Sequence, residues 1–107
     1  MHREIRKGIS MSNIGNIMDE VYEVVSDRKQ SPKDGAYTTY LFEKGIDKIC
    51  KKVGEEAAEV IIAAKNHSKE EMVYEISDLH YHLMVLMVNE GITFDDLYEE
   101  LRKRRPQ

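Results

Sequence analysis

The sequence predicts an all-α fold, an antiparallel bundle of four to five helices completed by dimerisation. Apolar residues recur at helical spacing in four long stretches, without the strict alternation that strands would show. Each stretch is bounded by capping or breaking residues, and only two prolines and six glycines interrupt the chain. A chain of 107 residues makes one domain with a modest core. A second copy would hide the apolar surface left over.

The first stretch spans Asn13 to Lys29, with Ile14, Ile17, Met18, Val21, Tyr22, Val24 and Val25 on one face and Ser12 or Asn13 as its cap. Residues 1–12 read as a loose lead-in to a single domain over 13–105. Gln30 to Gly35 is rich in turn formers. Tyr37 to Lys44 predicts a short helix stopped by Gly45, and Ile46 to Lys65 a long one. After a short link at Asn66 and His67, Ser68 and Glu71 form an S-x-x-E capping box. The helix it starts runs to Glu90 and stops at Gly91. Its apolar residues wrap most of the circumference, so it is expected to be central and buried. Thr93 and Asp96 cap a last helix, with Phe94, Leu97, Tyr98 and Leu101 on one side and a basic end at Arg102 to Arg105 that suits a helix C-terminus.

Bulk properties exclude several classes. The net charge of −4 argues against nucleic acid, which calls for a basic surplus. No apolar run reaches the roughly 18 residues of a membrane span. A single cysteine, Cys50, gives no disulfide framework and fits a reducing cytoplasm. Cys50 is expected in the core, and His80 on the apolar side of its helix. There is no P-loop, G-x-G-x-x-G, H-E-x-x-H or C-x-x-C, and no histidine has Glu three residues before it as di-iron bundles require.

The acidic residues carry the functional signal. At about 100° per residue, Lys48, Lys52, Glu55, Glu56 and Glu59 share one face of their helix, with Ile46, Ile49, Val53, Ala57, Val60, Ile61 and Ala64 opposite. Alone this is an ordinary amphipathic helix. On the next helix, however, Glu71, Glu75, Asp78 and His82 form a narrow stripe among apolar residues, where ionised groups are costly unless paired or bound to a cation. Folding the two helices together at His67 pairs residues of equal separation from the turn. Glu59 meets Glu75, Glu56 meets Asp78, and Lys52 meets His82. E-x-x-E then faces E-x-x-D about 12 to 16 Å from the turn. Four carboxylates converge sensibly around hard cations, Mg²⁺ or alternatively Mn²⁺. His82 suits either orienting a carboxylate, contacting phosphate, or packing in the core.

The run Lys51-Lys52-Val53-Gly54-Glu55-Glu56-Ala57-Ala58-Glu59 and the run Tyr74-Glu75-Ile76-Ser77-Asp78-Leu79 closely resemble the phosphoribosyl-ATP pyrophosphohydrolase family. The likeness covers most of the chain after Asn16. The wider MazG-like group of all-alpha NTP pyrophosphohydrolases shares E-E-x-x-E followed by E-x-x-D. The resemblance implies hydrolysis of phosphoribosyl-ATP to phosphoribosyl-AMP and diphosphate, the second step of histidine biosynthesis. It implies metal held by Glu56, Glu59, Glu75 and Asp78, with Glu55 as general base or further ligand. Lys48 and Lys52 would neutralise the departing diphosphate. Tyr37, Thr38, Lys44, Lys51 and His82 are weaker substrate-binding candidates. Ala36 stands where the family often has serine, and His80 where leucine is common. The family also occurs fused to a cyclohydrolase, for which 107 residues leave no room. Two other readings are a relative acting on another nucleoside triphosphate and a non-enzymatic helical dimerisation module.

Overall fold

A computed structural model describes residues 12–106, so the expected lead-in lies, apart from Ser12, outside the described residues. These residues form five helices and no strand: α1 (Ile14–Gln30), α2 (Tyr37–Lys44), α3 (Ile46–Lys65), α4 (Lys69–Glu90) and α5 (Phe94–Arg104). The all-α expectation holds, with boundaries within a residue or two of those read from the sequence.

Local chemistry explains the boundaries. Gly45 takes φ 91°, a conformation costly for residues with a Cβ, so one residue separates α2 from α3. Gly91 takes φ 71° and ends α4 in a Schellman-type turn, the Ile92 amide donating to the Met87 carbonyl at 2.8 Å. Asn66–Ser68 joins α3 to α4 with His67 in the left-handed region. At α5 the capping box closes both ways: Thr93 Oγ1 accepts from the Asp96 amide and the Asp96 carboxylate accepts from the Thr93 amide. At α4 only half of it forms, Ser68 Oγ accepting from the Glu71 amide at 3.2 Å.

The core gathers one fully buried residue from each of four helices: Val25, Leu41, Ile49 and Val85. α3 and α4 form the main antiparallel pair, and α1 and α2 pack on them. Only the C-terminal half of α4 is enclosed, through His82, Met84, Val85 and Met87. Val73, Tyr74 and Ile76 are exposed, so the expectation of a wholly buried α4 is corrected. The reason is reach: the core joins α1 and α2 to one end of the hairpin, and its other end stands clear. α5 buries no residue; Phe94 packs on Tyr22 with ring centroids 5.3 Å apart, and the Tyr22 hydroxyl donates to the Ile92 carbonyl.

The orientation of α3 also differs from expectation. Its buried residues are Ile49, Glu56 and Ala63, whereas Ile46 and Ile61 are exposed. The acidic edge therefore turns inward toward α4 instead of lying opposite the packed face. Cys50 is exposed, not in the core, because it follows Ile49 by about 100° around the helix. His80 is exposed as well, with Nδ1 2.8 Å from its own helix's Ile76 carbonyl.

Candidate active site

The inward turn of α3 brings the paired acids together at the heights their spacing from His67 implies. Oxygens of Glu56, Glu59 and Glu75 lie within 4.8 Å of one another, as do ligand-type atoms of Glu56, Asp78 and His82. Glu56 belongs to both groups and is only 4% exposed. Its Oε1 is 3.4 Å from Lys52 Nζ. Its Oε2 is buried and accepts no hydrogen bond from the described residues. A buried carboxylate oxygen without a partner is unfavourable, and a cation at the same place would satisfy it.

The titration of the acids reflects this crowding. Burial raises the Asp78 carboxyl above the usual range, and its hydrogen bond to Glu56 and the charge there raise it further. Burial acts on Glu56 in the same sense. The hydrogen bond with Asp78, and the hydrogen bond and positive charge of Lys52, outweigh it and hold Glu56 below its ordinary value. Glu59 is pushed up to about 7, first by its hydrogen bond with Glu75 and then by the charge of Glu56 and Glu75. A divalent ion bound among these acids would take the place of the proton on Glu59.

Beneath the cluster, His82 is buried and ties three groups together. Its Nδ1 lies 2.8 Å from the Asp78 carbonyl, which only accepts, so Nδ1 carries hydrogen. Nδ1 is also 3.5 Å from Asp78 Oδ1. In the neutral ring Nε2 then accepts from the Tyr37 hydroxyl, 2.9 Å away. Both ring nitrogens are engaged, so His82 steadies Asp78 and anchors the start of α2. Burial raises the Tyr37 phenol, offset in part by Lys52.

The remaining candidates separate into two groups. Lys52 bridges Glu55 and Glu56 at 3.4 Å each, so its charge is already committed to acids. Burial lowers its pKa, but Tyr37, Glu55 and Glu56 more than compensate and leave it raised. Lys44 and Lys48 gather over the Tyr40 ring, 5.8 and 6.0 Å from its centroid, and Tyr40 stacks with Tyr37. Lys51 is exposed. Thr38 is buried, its hydroxyl bonded to the Tyr81 hydroxyl, which sets it inside the α2–α4 contact. Sequence reasoning passed over Tyr40 and Tyr81, although Tyr40 lies one turn from Tyr37 and Tyr81 is next to His82.

Beyond the acids, toward the hairpin turn, a cavity of about 800 Å³ opens between α3 and α4. Glu59 and Glu75 line both it and the acidic cluster.

The family model for phosphoribosyl-ATP pyrophosphohydrolase matches residues 18–105, which include every acid of the cluster. The chain belongs to that family. It is 58% identical over 93 residues to the phosphoribosyl-ATP pyrophosphatase of Clostridium botulinum, covering 87% of this chain and 84% of that protein. It is 59% identical to the enzyme of the same name from Limosilactobacillus fermentum, covering 81% and 82%. Identity reaches 68% over 84 residues with the histidine biosynthesis bifunctional protein HisIE of Thermoanaerobacter pseudethanolicus. That match takes in 78% of this chain but 39% of the relative, so the chain spans about two fifths of the bifunctional proteins it resembles.

Proposed function

We propose that the chain hydrolyses phosphoribosyl-ATP to phosphoribosyl-AMP and diphosphate, acting in the second step of histidine biosynthesis with Mg²⁺. Residues 13–105 form the catalytic domain in this reading. The observation that carries it is Glu56: a buried carboxylate, one oxygen unpartnered, inside a ring of three more acids. Such a donor set is all oxygen, as hard divalent cations prefer.

Glu56, Glu59, Glu75 and Asp78 would hold the ion or ions. A bound divalent cation supplies charge neutralisation for the triphosphate and acidifies water. The protein does the rest. Lys52 pairs with both Glu55 and Glu56. Glu55 is half-exposed at the rim of the cluster, where it can accept a proton from incoming water. Lys48, with Lys44 beside it on Tyr40, offers cationic charge to the leaving diphosphate. His82 holds Asp78 and Tyr37 in register.

Diphosphate release by the purified protein from phosphoribosyl-ATP, compared with ordinary nucleoside triphosphates and with and without Mg²⁺, tests the reading. Turnover of phosphoribosyl-ATP that stops on chelation is expected. Faster turnover of another triphosphate would transfer the chain to the wider group, and no release from any would leave a helical module.

We further propose a homodimer. Leu97, Tyr98 and Leu101 on α5 and Ile14 and Ile17 on α1 are exposed apolar residues that a second copy would cover. Light scattering at micromolar concentration should give twice the chain mass, and a stable monomer would refute it. No described helix is long and apolar enough to cross a membrane. The exposed thiol of Cys50 suits the reducing cytoplasm we propose as its compartment.

A further inference from the structure

We infer that the cavity at the hairpin turn receives the adenine of phosphoribosyl-ATP as a cation, and that Glu70, Glu71 and Tyr74 select this substrate over ATP. The inference rests on the reaction proposed above. The cavity, about 800 Å³, falls within the range of about 300–1,000 Å³ typical of small-molecule sites. It adjoins the acidic cluster through Glu59 and Glu75. Ile62 and Tyr74, both largely exposed, give it apolar and aromatic walls suited to a flat ring.

Its charge is the informative feature. Glu59, Glu70, Glu71 and Glu75 line it, and among the described residues no lysine, arginine or histidine does. That sign is wrong for phosphate. With Glu59 and Glu75 serving the ion site, Glu70 and Glu71 remain as unneutralised carboxylates. Glu71 lines the cavity without closing its capping box: its amide donates to Ser68, and its side chain makes no return bond to the Ser68 amide. The equivalent acid at α5, Asp96, does close the box. The two acids also suit the positive N-terminus of α4, so their effect on stability must be read separately.

Substrate chemistry supplies the match. Attaching the phosphoribosyl group at adenine N1 converts the ring into an amidine-type base, which takes up a proton near neutral pH. The positive charge spreads over N1, C6 and N6. Unmodified ATP lacks it. A cationic ring over Tyr74 and beside two carboxylates gains cation–π and charge-assisted contacts that ATP cannot make. The layout of α3 agrees, since Lys48 lies about 21 Å from Ile62 by helical rise. The lysine end receives diphosphate, the acids lie midway, and the base lies toward the turn.

Inhibition of phosphoribosyl-ATP hydrolysis by 1-methyl-ATP and by ATP tests this, because 1-methyl-ATP carries the ring cation without the phosphoribosyl group. The wild-type chain should favour 1-methyl-ATP by about ten-fold or more. Glu70→Gln with Glu71→Gln should bring the two inhibitors within about two-fold of each other, and Tyr74→Leu should weaken the preference while Tyr74→Phe keeps it. Melting followed by circular dichroism establishes that each variant is folded, and the wild-type comparison stands without them. Equal inhibition of the wild type, or a preference unchanged in the folded double variant, overturns the inference while the proposed reaction survives. A wild-type chain that releases no diphosphate from phosphoribosyl-ATP overturns both.

Discussion

At the base of the α3–α4 hairpin, Val25, Leu41, Ile49 and Val85 meet from four helices with no exposed surface. At its tip, Ile61, Ile62, Val73 and Tyr74 all lie open. The two ends share the same pair of helices, so the difference is in what packs against them. α1 and α2 enclose one end and leave the other free to meet a ligand. The acids straddle the boundary. Glu56 sits on the enclosed side and is held ionised by Lys52, whereas Glu59 sits on the open side and retains a proton up to about pH 7. A rigid base thus fixes the height and direction of a cluster whose outer half remains accessible.

The sharpest way to break this arrangement is at Glu56. Glu56→Gln or Asp78→Asn should reduce diphosphate release by at least about 100-fold, more than loss of an outer partner usually costs, while helicity by circular dichroism stays near wild type. Near-normal turnover in Mg²⁺ would disprove the site. Next comes the contrast in packing. Ile49→Ala should lower unfolding free energy by about 2–5 kcal/mol in urea titrations, and Val73→Ala at the tip by no more than about 0.5 kcal/mol. Comparable losses would mean the tip is packed after all. A smaller effect is expected at Tyr37→Phe, which leaves buried His82 Nε2 without its donor and should cost about 1–3 kcal/mol.

The subtlest test uses pH. Glu59 has its folded value raised to about 7, so its contribution to stability is full at acidic pH and is lost as pH rises through about 7. In chelator, the melting temperature should fall from about pH 5 to about pH 8, and Mg²⁺ should flatten that slope by replacing the proton. A metal-free melting temperature that rises over this interval would contradict the proximity of Glu59 to Glu75 and Glu56.

Helix boundaries were legible because the chain marks them chemically: Gly45 and Gly91 at stops, Ser68 and Thr93 at starts. The pairing of Glu56 with Asp78 and Glu59 with Glu75 was legible because a short link fixes equal heights in an antiparallel pair. What the sequence concealed was rotation. Periodicity sets Ile46, Ile49 and Ile61 against the acids; the structure buries Ile49 but packs it with Glu56 and Ala63, leaving Ile46, Ile61 and Cys50 exposed. Apolar content alone likewise could not tell that α4 is enclosed over only half its length. That depends on how far its neighbours reach, which is a property of the assembled fold. The cavity beyond Glu59 is lined by residues of both helices and of the link between them, and leaves no pattern in either helix alone.

The equal-height pairing also governs how this chain can change length over time. One residue gained or lost between Glu56 and Lys65, or between Lys69 and Asp78, turns everything beyond it by about 100° and dissolves the pairing. The loop at 31–36 lies outside that interval and can lengthen at little cost. Insertions and deletions that spare the chemistry must therefore collect before α3 or after the middle of α4, leaving a stretch of fixed size that serves as the molecule's ruler.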